Sequence, residues 1–195
     1  MGEHAFVFAR PPDPWSYPYL LGAYLGDGRL DDNRLVLTVD AAHPEVVDEC
    51  WAAMQLTAPS SPARRQATAS GRAVRVESCS RDWPTLLPRR DPHLRVKDWQ
   101  QQIVDRHPGR FLRGLIHSDG CRTINRFTTR LPSGRVREYA YPRYFFSNES
   151  PDVRAMFCRT CERLDIRWTQ SNRRNISVAH RASVARLDEL VGPKR

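Results

Sequence analysis

Two aspartates draw attention because each closes a segment of otherwise apolar and small residues. "LLGAYLGDG" spans residues 20–28 and "LRGLIHSDG" spans 112–120, with Leu, Gly, Asp and Gly coinciding at four of nine places. A carboxylate at a helix C-terminus opposes the macrodipole at a cost of ~0.3–1 kcal/mol, so Asp27 and Asp119 call for a reason. Two carboxylates brought together repel unless a cation lies between them. Hard divalent ions such as Mg2+ take few protein carboxylates and complete their shell with water and phosphate oxygens. A metal-bound water attacking a phosphodiester is the chemistry such a pair offers. An ordinary Asp-Gly turn explains one copy of the motif. It does not explain two copies with the same internal spacing.

The elements around the aspartates must bring them together. On a helix, Gly22 and Gly26 lie one turn apart on one face, as do Gly114 and Ser118. Small residues at this spacing let two helix backbones approach closely, which offsets the ~1 kcal/mol that each helical glycine costs. Parallel packing of the two helices would deliver both carboxylates at one end, with Gly28 and Gly120 expected as left-handed caps. The rest of the chain repeats as well. In the first copy a strand over 34–40 puts Leu35, Leu37 and Val39 on one face. A helix starting at Pro44, a hairpin around Ser70-Gly71 and a short helix in "SRDWPTLL" follow. In the second copy, "RTINRFTTR" and "VREYAYPRYFF" flank the turn "LPSG". A helix capped by Ser150, a hairpin over 166–180 and a last helix over 182–192 complete it. The predicted order is helix, two strands, helix, two strands, helix, written twice: 1–88, a connector over 89–107 with a helix in "KDWQQQIVDR", and 108–195. This is an α+β class of two pseudo-symmetric αββαββα halves.

Charge narrows the partner. The chain carries 31 Lys and Arg against 22 Asp and Glu, a formal +9, with an isoelectric point near 9.9. Residues 1–97 balance at 12 of each sign, and residues 98–195 hold 19 cations against 10 acids, so the whole excess is there. Nine arginines and two acids lie between Arg106 and Arg143. That field suits a polyanion such as nucleic acid. All cations but Lys97 and Lys194 are arginine, a usage that GC-rich coding explains first and bidentate phosphate and guanine contacts explain second. Mean hydropathy of −0.61 and short apolar runs exclude a membrane-spanning helix. The N-terminal stretch lacks an apolar segment of signal-peptide length, so a cytoplasmic location is expected, nucleoid-associated if the host is bacterial. Five scattered cysteines do not form a secreted disulfide framework. Cys158 and Cys161 in "CRTC" resemble half a zinc site but lack a second pair, and together with Trp51 and Trp168 they read as core.

The paired motifs resemble the signature of the LAGLIDADG homing endonucleases in their single-chain, two-motif form, and the likeness covers nearly the whole chain. The resemblance implies motif helices packed at the interface of the halves, and saddle-shaped antiparallel sheets laid in the DNA major groove. It also implies cleavage of both strands across the minor groove with Mg2+, by a monomer of internal pseudo-two-fold symmetry. By position it makes Asp27 and Asp119 the catalytic metal ligands, with Gly26 and Ser118 beside them in the metal site. Leu25 and His117 replace the first acid of the family name. His117 is read as a solvated helix-end histidine in preference to a base beside the metal. Lys97 is the candidate for the basic residue that the family places near its metals.

For DNA contacts, Arg135, Arg137, Tyr139, Tyr141 and Arg143 share one face by period two, a row able to contact phosphates and base edges. Arg122, Arg126 and Arg130 share a face of the partner strand. Arg29, Arg34, Arg64, Arg65, Arg72 and Arg75 are the first-half candidates. The function expected is a site-specific, metal-dependent double-strand DNA endonuclease. The alternatives are a transcription regulator that kept the fold and lost cleavage, an RNA-splicing maturase, and the endonuclease part of an intein.

Overall fold

The computed structural model describes residues 13–89 and 93–192. The first set of elements is α1 (Ser16–Asp27), β1 (Gly28–Asp31), β2 (Arg34–Asp40), α2 (Pro44–Thr57), β3 (Arg64–Ala67), β4 (Ala73–Cys79) and α3 (Trp83–Leu86). After α4 (Asp98–Arg106) comes the second set: α5 (Pro108–Asp119), β5 (Gly120–Arg130), β6 (Val136–Ser147), α6 (Pro151–Arg163), β7 (Thr169–Gln170), β8 (Asn175–Val178) and α7 (Arg181–Val191). The αββαββα order therefore occurs twice. The two sheets are antiparallel and share one topology, β1-β2-β4-β3 and β5-β6-β8-β7. β1 is the strand that sequence pattern does not announce. It is four residues long, and its register comes from pairing Gly28 with Leu37 and Leu30 with Leu35.

α1 sits at the centre. Every residue from Ser16 to Leu25 is buried, which is possible because its three tyrosines bring satisfied hydroxyls. Tyr17 Oη donates to the Leu86 carbonyl at 2.6 Å and accepts from Gln100 Nε2 at 2.8 Å, and Tyr24 Oη donates to Pro88 O. These bonds tie the first motif helix to α3 and α4. Leu35, Leu37 and Val76 in one sheet, and Tyr144, Phe146 and Ile176 in the other, face the helices. Ser150 caps α6, its Oγ accepting from Val153 N, and Phe157 of that helix stacks on Phe146 at 4.3 Å.

Two local expectations are corrected. Gly28 (φ −75°, ψ 150°) and Gly120 (φ −102°, ψ 158°) are extended, not left-handed. Each motif helix runs straight into a strand, and glycine is required there for space. A Cβ would lie 2.6 Å from Tyr24 Cα at Gly28 and 2.7 Å from Ile116 Cα at Gly120. Trp51 and Trp168 only border the core; the fully buried tryptophan is Trp83. Trp51 instead carries the Arg65 guanidinium 4.7 Å above its ring and donates to Ala63 O.

Candidate functional site

α1 and α5 meet backbone to backbone. A Cβ on Gly22 would lie 2.4 Å from Phe111 O, one on Gly114 2.1 Å from Tyr19 O, and one on Gly26 2.0 Å from Ser118 Oγ. Contacts climb both helices in the same sense, from Tyr19–Gly114 to Gly26–Ser118, so the helices are parallel and their C-termini adjoin. The motif residues interlock crosswise. Gly26 and Asp119 border one cavity of about 390 Å3, together with Leu94, Asn148 and Glu149. Asp27 and Ser118 border a small crevice with Thr38 and His117. Asp27 is exposed and Asp119 half-buried. Ser118 satisfies its hydroxyl within its own helix, donating to Gly114 O and Leu115 O.

Asn148 is a site residue that sequence reasoning missed. Its Nδ2 donates to the Asp119 carboxylate and reaches Leu25 O at 3.5 Å, while its Oδ1 accepts from Ser150 N. One amide thus links both motif helices. Its only signal was a polar residue in "SNES" just before a helix cap. Lys97 heads α4, where its Nζ donates to Thr85 O at 3.0 Å; it lines neither crevice.

His117 is not a solvated helix end. It is buried, 6 % exposed, with Nδ1 3.0 Å from Tyr19 Oη and Nε2 3.1 Å from Val191 O. The expectation failed because the terminal turn of α5 is covered by the C-terminus of α7. Arg113 joins there, donating to Val191 O and Leu190 O, a favourable placement of cation against helix carbonyls. Behind it, Glu49 of α2 accepts from Arg110 at 2.6 Å and Arg113 at 2.8 Å. Burial works to raise the Glu49 carboxyl, but the two guanidiniums prevail and hold it below its ordinary value. This cluster clamps α2, α5 and α7 together.

The strand registers sort the arginines by face. Residues alternating with the core-facing set point away from the helices. On the second sheet these are Thr123, Asn125, Phe127 and Thr129 of β5, paired with Arg143, Tyr141, Tyr139 and Arg137 of β6. The predicted row of β6 is therefore real, except that Arg135 lies in the turn before the strand. Arg122, Arg126 and Arg130 do share a face, but it is the helix-side face: Arg122 pairs with Tyr144 in register. It forms a two-point salt bridge to Asp188 of α7, at 2.7 and 3.0 Å. On the first sheet Arg29, Arg34, Arg64 and Arg75 point away from the helices. Two of them are neutralised locally, Arg29 by Asp31 at 2.8 Å and Arg34 by Glu77 at 2.5 Å. Arg65 turns to the helix side, where it pairs with Asp48, and Arg72 lies exposed in the β3–β4 turn.

Among the described residues no three His, Cys, Asp or Glu side chains are grouped to hold a metal. A cation here would rest on two carboxylates, helix-end carbonyls and outside oxygens. That all-oxygen donor set suits a hard divalent ion. Cys161 is fully buried and Cys158 packs against the core, where burial pushes its thiol up to about 11. No helix among the described residues is long and apolar enough to cross a membrane.

No family profile and no curated protein matches the sequence. Solved structures do. Full-length DUF199/WhiA from Thermatoga maritima superposes with a TM-score of 0.61 at 16% identity, over 93% of this chain and 56% of that one. This chain therefore spans just over half the length of that protein. The homing endonuclease I-WcaI bound to its DNA recognition sequence gives 0.58 at 10% identity, over 99% and 90%. I-DmoI in complex with DNA and Mn gives 0.54 at 13%, over 93% and 99%. With the duplicated αββαββα order and the abutting motif helices, these likenesses show that the chain has the fold shared by the LAGLIDADG homing endonucleases and WhiA.

Proposed function

We propose that the chain is a site-specific double-strand DNA endonuclease that acts as a monomer, grips duplex DNA with the helix-free faces of its two sheets, and cuts at the paired ends of α1 and α5. The observation that carries this is the crosswise interlock of Gly26 with Asp119 and Asp27 with Ser118. Nothing in folding requires two acids at the ends of two parallel helices, where the dipoles oppose them. Asp27 and Asp119, with the carbonyls of Gly26 and Ser118, would hold Mg2+ or a similar ion, which supplies charge stabilisation and an activated water when bound. Asn148 fixes the orientation of the Asp119 carboxylate. Arg137, Arg143 and the two tyrosines between them orient the duplex, and Arg64, Arg72 and Arg75 contribute from the first half. Two solved neighbours, one bound to its DNA recognition sequence and one in complex with DNA and Mn, are consistent with this reading.

A second reading is a DNA-binding regulator without cleavage. It is favoured by the engagement of Asp119 with Asn148 and of Lys97 with Thr85, and by the likeness to WhiA. One experiment separates them. Wild type, Asp27→Asn and Asp119→Asn are incubated with a randomised duplex library and Mg2+, and both binding and strand breaks are read by sequencing. The endonuclease predicts cutting at a selected site by wild type, with binding but no cutting by either variant. Selective binding without breaks by wild type would assign the regulator.

A further inference from the structure

The face of β5–β6 that points away from the helices carries an aromatic ladder. Phe127 stacks on Tyr139 with centroids 5.3 Å apart and planes at 22°, and Tyr139 stacks on Tyr141 at 5.9 Å and 18°. Phe127 and Tyr141 are 45% and 48% exposed, so this apolar ridge is built for contact. Arginines bracket it in the same row. Arg137 lies 5.1 Å over the Tyr139 ring, and Arg143 lies 5.4 Å over Phe145. No acid stands among the β5 and β6 residues of this face. On the first sheet the same face holds Asp31, Asp40 and Glu77.

We infer that this ridge is the base-reading element of the second half, and that it selects thymine-bearing A·T pairs in the major groove through their 5-methyl groups. The inference rests on the proposed binding of duplex DNA. Ring orientation decides between paired and unpaired bases. Unstacked bases dock on open aromatic faces. Here Phe127 and Tyr141 flank the central Tyr139 in near-parallel offset and the Arg137 guanidinium lies over it, so the inner faces are occupied and the ridge presents chiefly edges and hydroxyls. Edges suit the major groove, where the thymine methyl is the apolar landmark. The spacing also fits. Alternate strand residues advance about 6.8 Å, and base pairs rise about 3.4 Å, so successive rungs meet every second pair. The 12 residues of β6 reach about 41 Å, against about 34–36 Å for one duplex turn. The ladder thus sits along the groove with cations at either end on the phosphate walls.

The test uses the full chain, without divalent metal, and a duplex selected from a randomised library. Thymines in one half of the site, then the other, are replaced by deoxyuridine, and affinity is read by fluorescence anisotropy. Each methyl removed under the ladder is expected to weaken binding about two- to fourfold, in one half of the site only. Phe127→Ala and Tyr141→Ala, both at exposed positions and checked for folding by circular dichroism, should bind thymine and deoxyuridine duplexes alike. Tight duplex binding that deoxyuridine leaves unchanged overturns the ladder's role and spares DNA binding. A preference for single strands overturns it too. Absence of binding to any duplex overturns the proposed function itself and this inference with it.

Discussion

Replacing Gly114 with alanine perturbs the helix interface where backbone approaches backbone most closely. The added Cβ would sit 2.1 Å from Tyr19 O, 2.9 Å from Ala23 N and 3.0 Å from Tyr19 C. All three are backbone atoms in the buried stretch of α1, so no rotamer change relieves the overlap. Restoring ordinary contact moves α1 and α5 apart by about 1 Å, a gap that already forfeits much of the dispersion well along the seam. Overpacking of this kind costs up to about 3 kcal/mol. Alanine returns about 1 kcal/mol through helix propensity. The net is a loss of about 2 kcal/mol, or about 4–8 °C in Tm for a chain of this size. Gly109 supplies the control on the same helix. Its Cβ would meet only the movable end of the Leu190 side chain at 2.8 Å, so Gly109→Ala should be neutral or stabilise by up to about 1 kcal/mol. Urea unfolding at constant m reads both. Gly114→Ala as stable as wild type, or both variants shifting alike, would refute the close-packing argument.

Other consequences can be checked separately. Glu49→Gln removes a carboxylate that holds Arg110 and Arg113 and should destabilise by about 2 kcal/mol at neutral pH. The Glu49 carboxyl is held below its ordinary 4.5, so its contribution is present above that pH and fades as pH falls through the lowered folded value. The gap between wild type and Glu49→Gln should therefore be full above the ordinary 4.5 and narrow as pH falls through the lowered folded value in acid unfolding. Arg137→Ala with Arg143→Ala should reduce the slope of log affinity against log salt by about 1.8, about 0.9 per phosphate contact. Arg65→Ala, whose guanidinium is engaged by Asp48 and Trp51, should leave the slope unchanged. Asn148→Ala should slow strand breakage more than it weakens DNA binding, a separation that single-turnover kinetics at saturating protein would reveal.

Much of this architecture could be read from residues alone, and the gaps share a cause. Periodicity placed Leu35 and Leu37 inward, and the repeated small residues foretold the close packing of the two motif helices that Gly22 and Gly114 permit. Both are local patterns with one structural solution. β1 escaped notice because "GRLD" offers a single inward apolar side chain, and its register is set by β2. The shared face of Arg122, Arg126 and Arg130 was visible, but which side it takes depends on Asp188, 66 positions away. His117 looked solvated until α7 closed over it, and Asn148 became a site residue only when β6 carried it to Asp119. Alternation says which residues travel together; the partner element says where they point.

The central claim is that residues 27 and 119 together form one cation site at the joined helix ends. The most direct measurement is Mn2+-induced broadening of backbone amide resonances in the chain bound to duplex DNA. Broadening centred on Gly26–Gly28 and Ser118–Gly120, abolished by either aspartate-to-asparagine change, is the predicted result. Broadening centred elsewhere, or unchanged in both variants, would contradict the account.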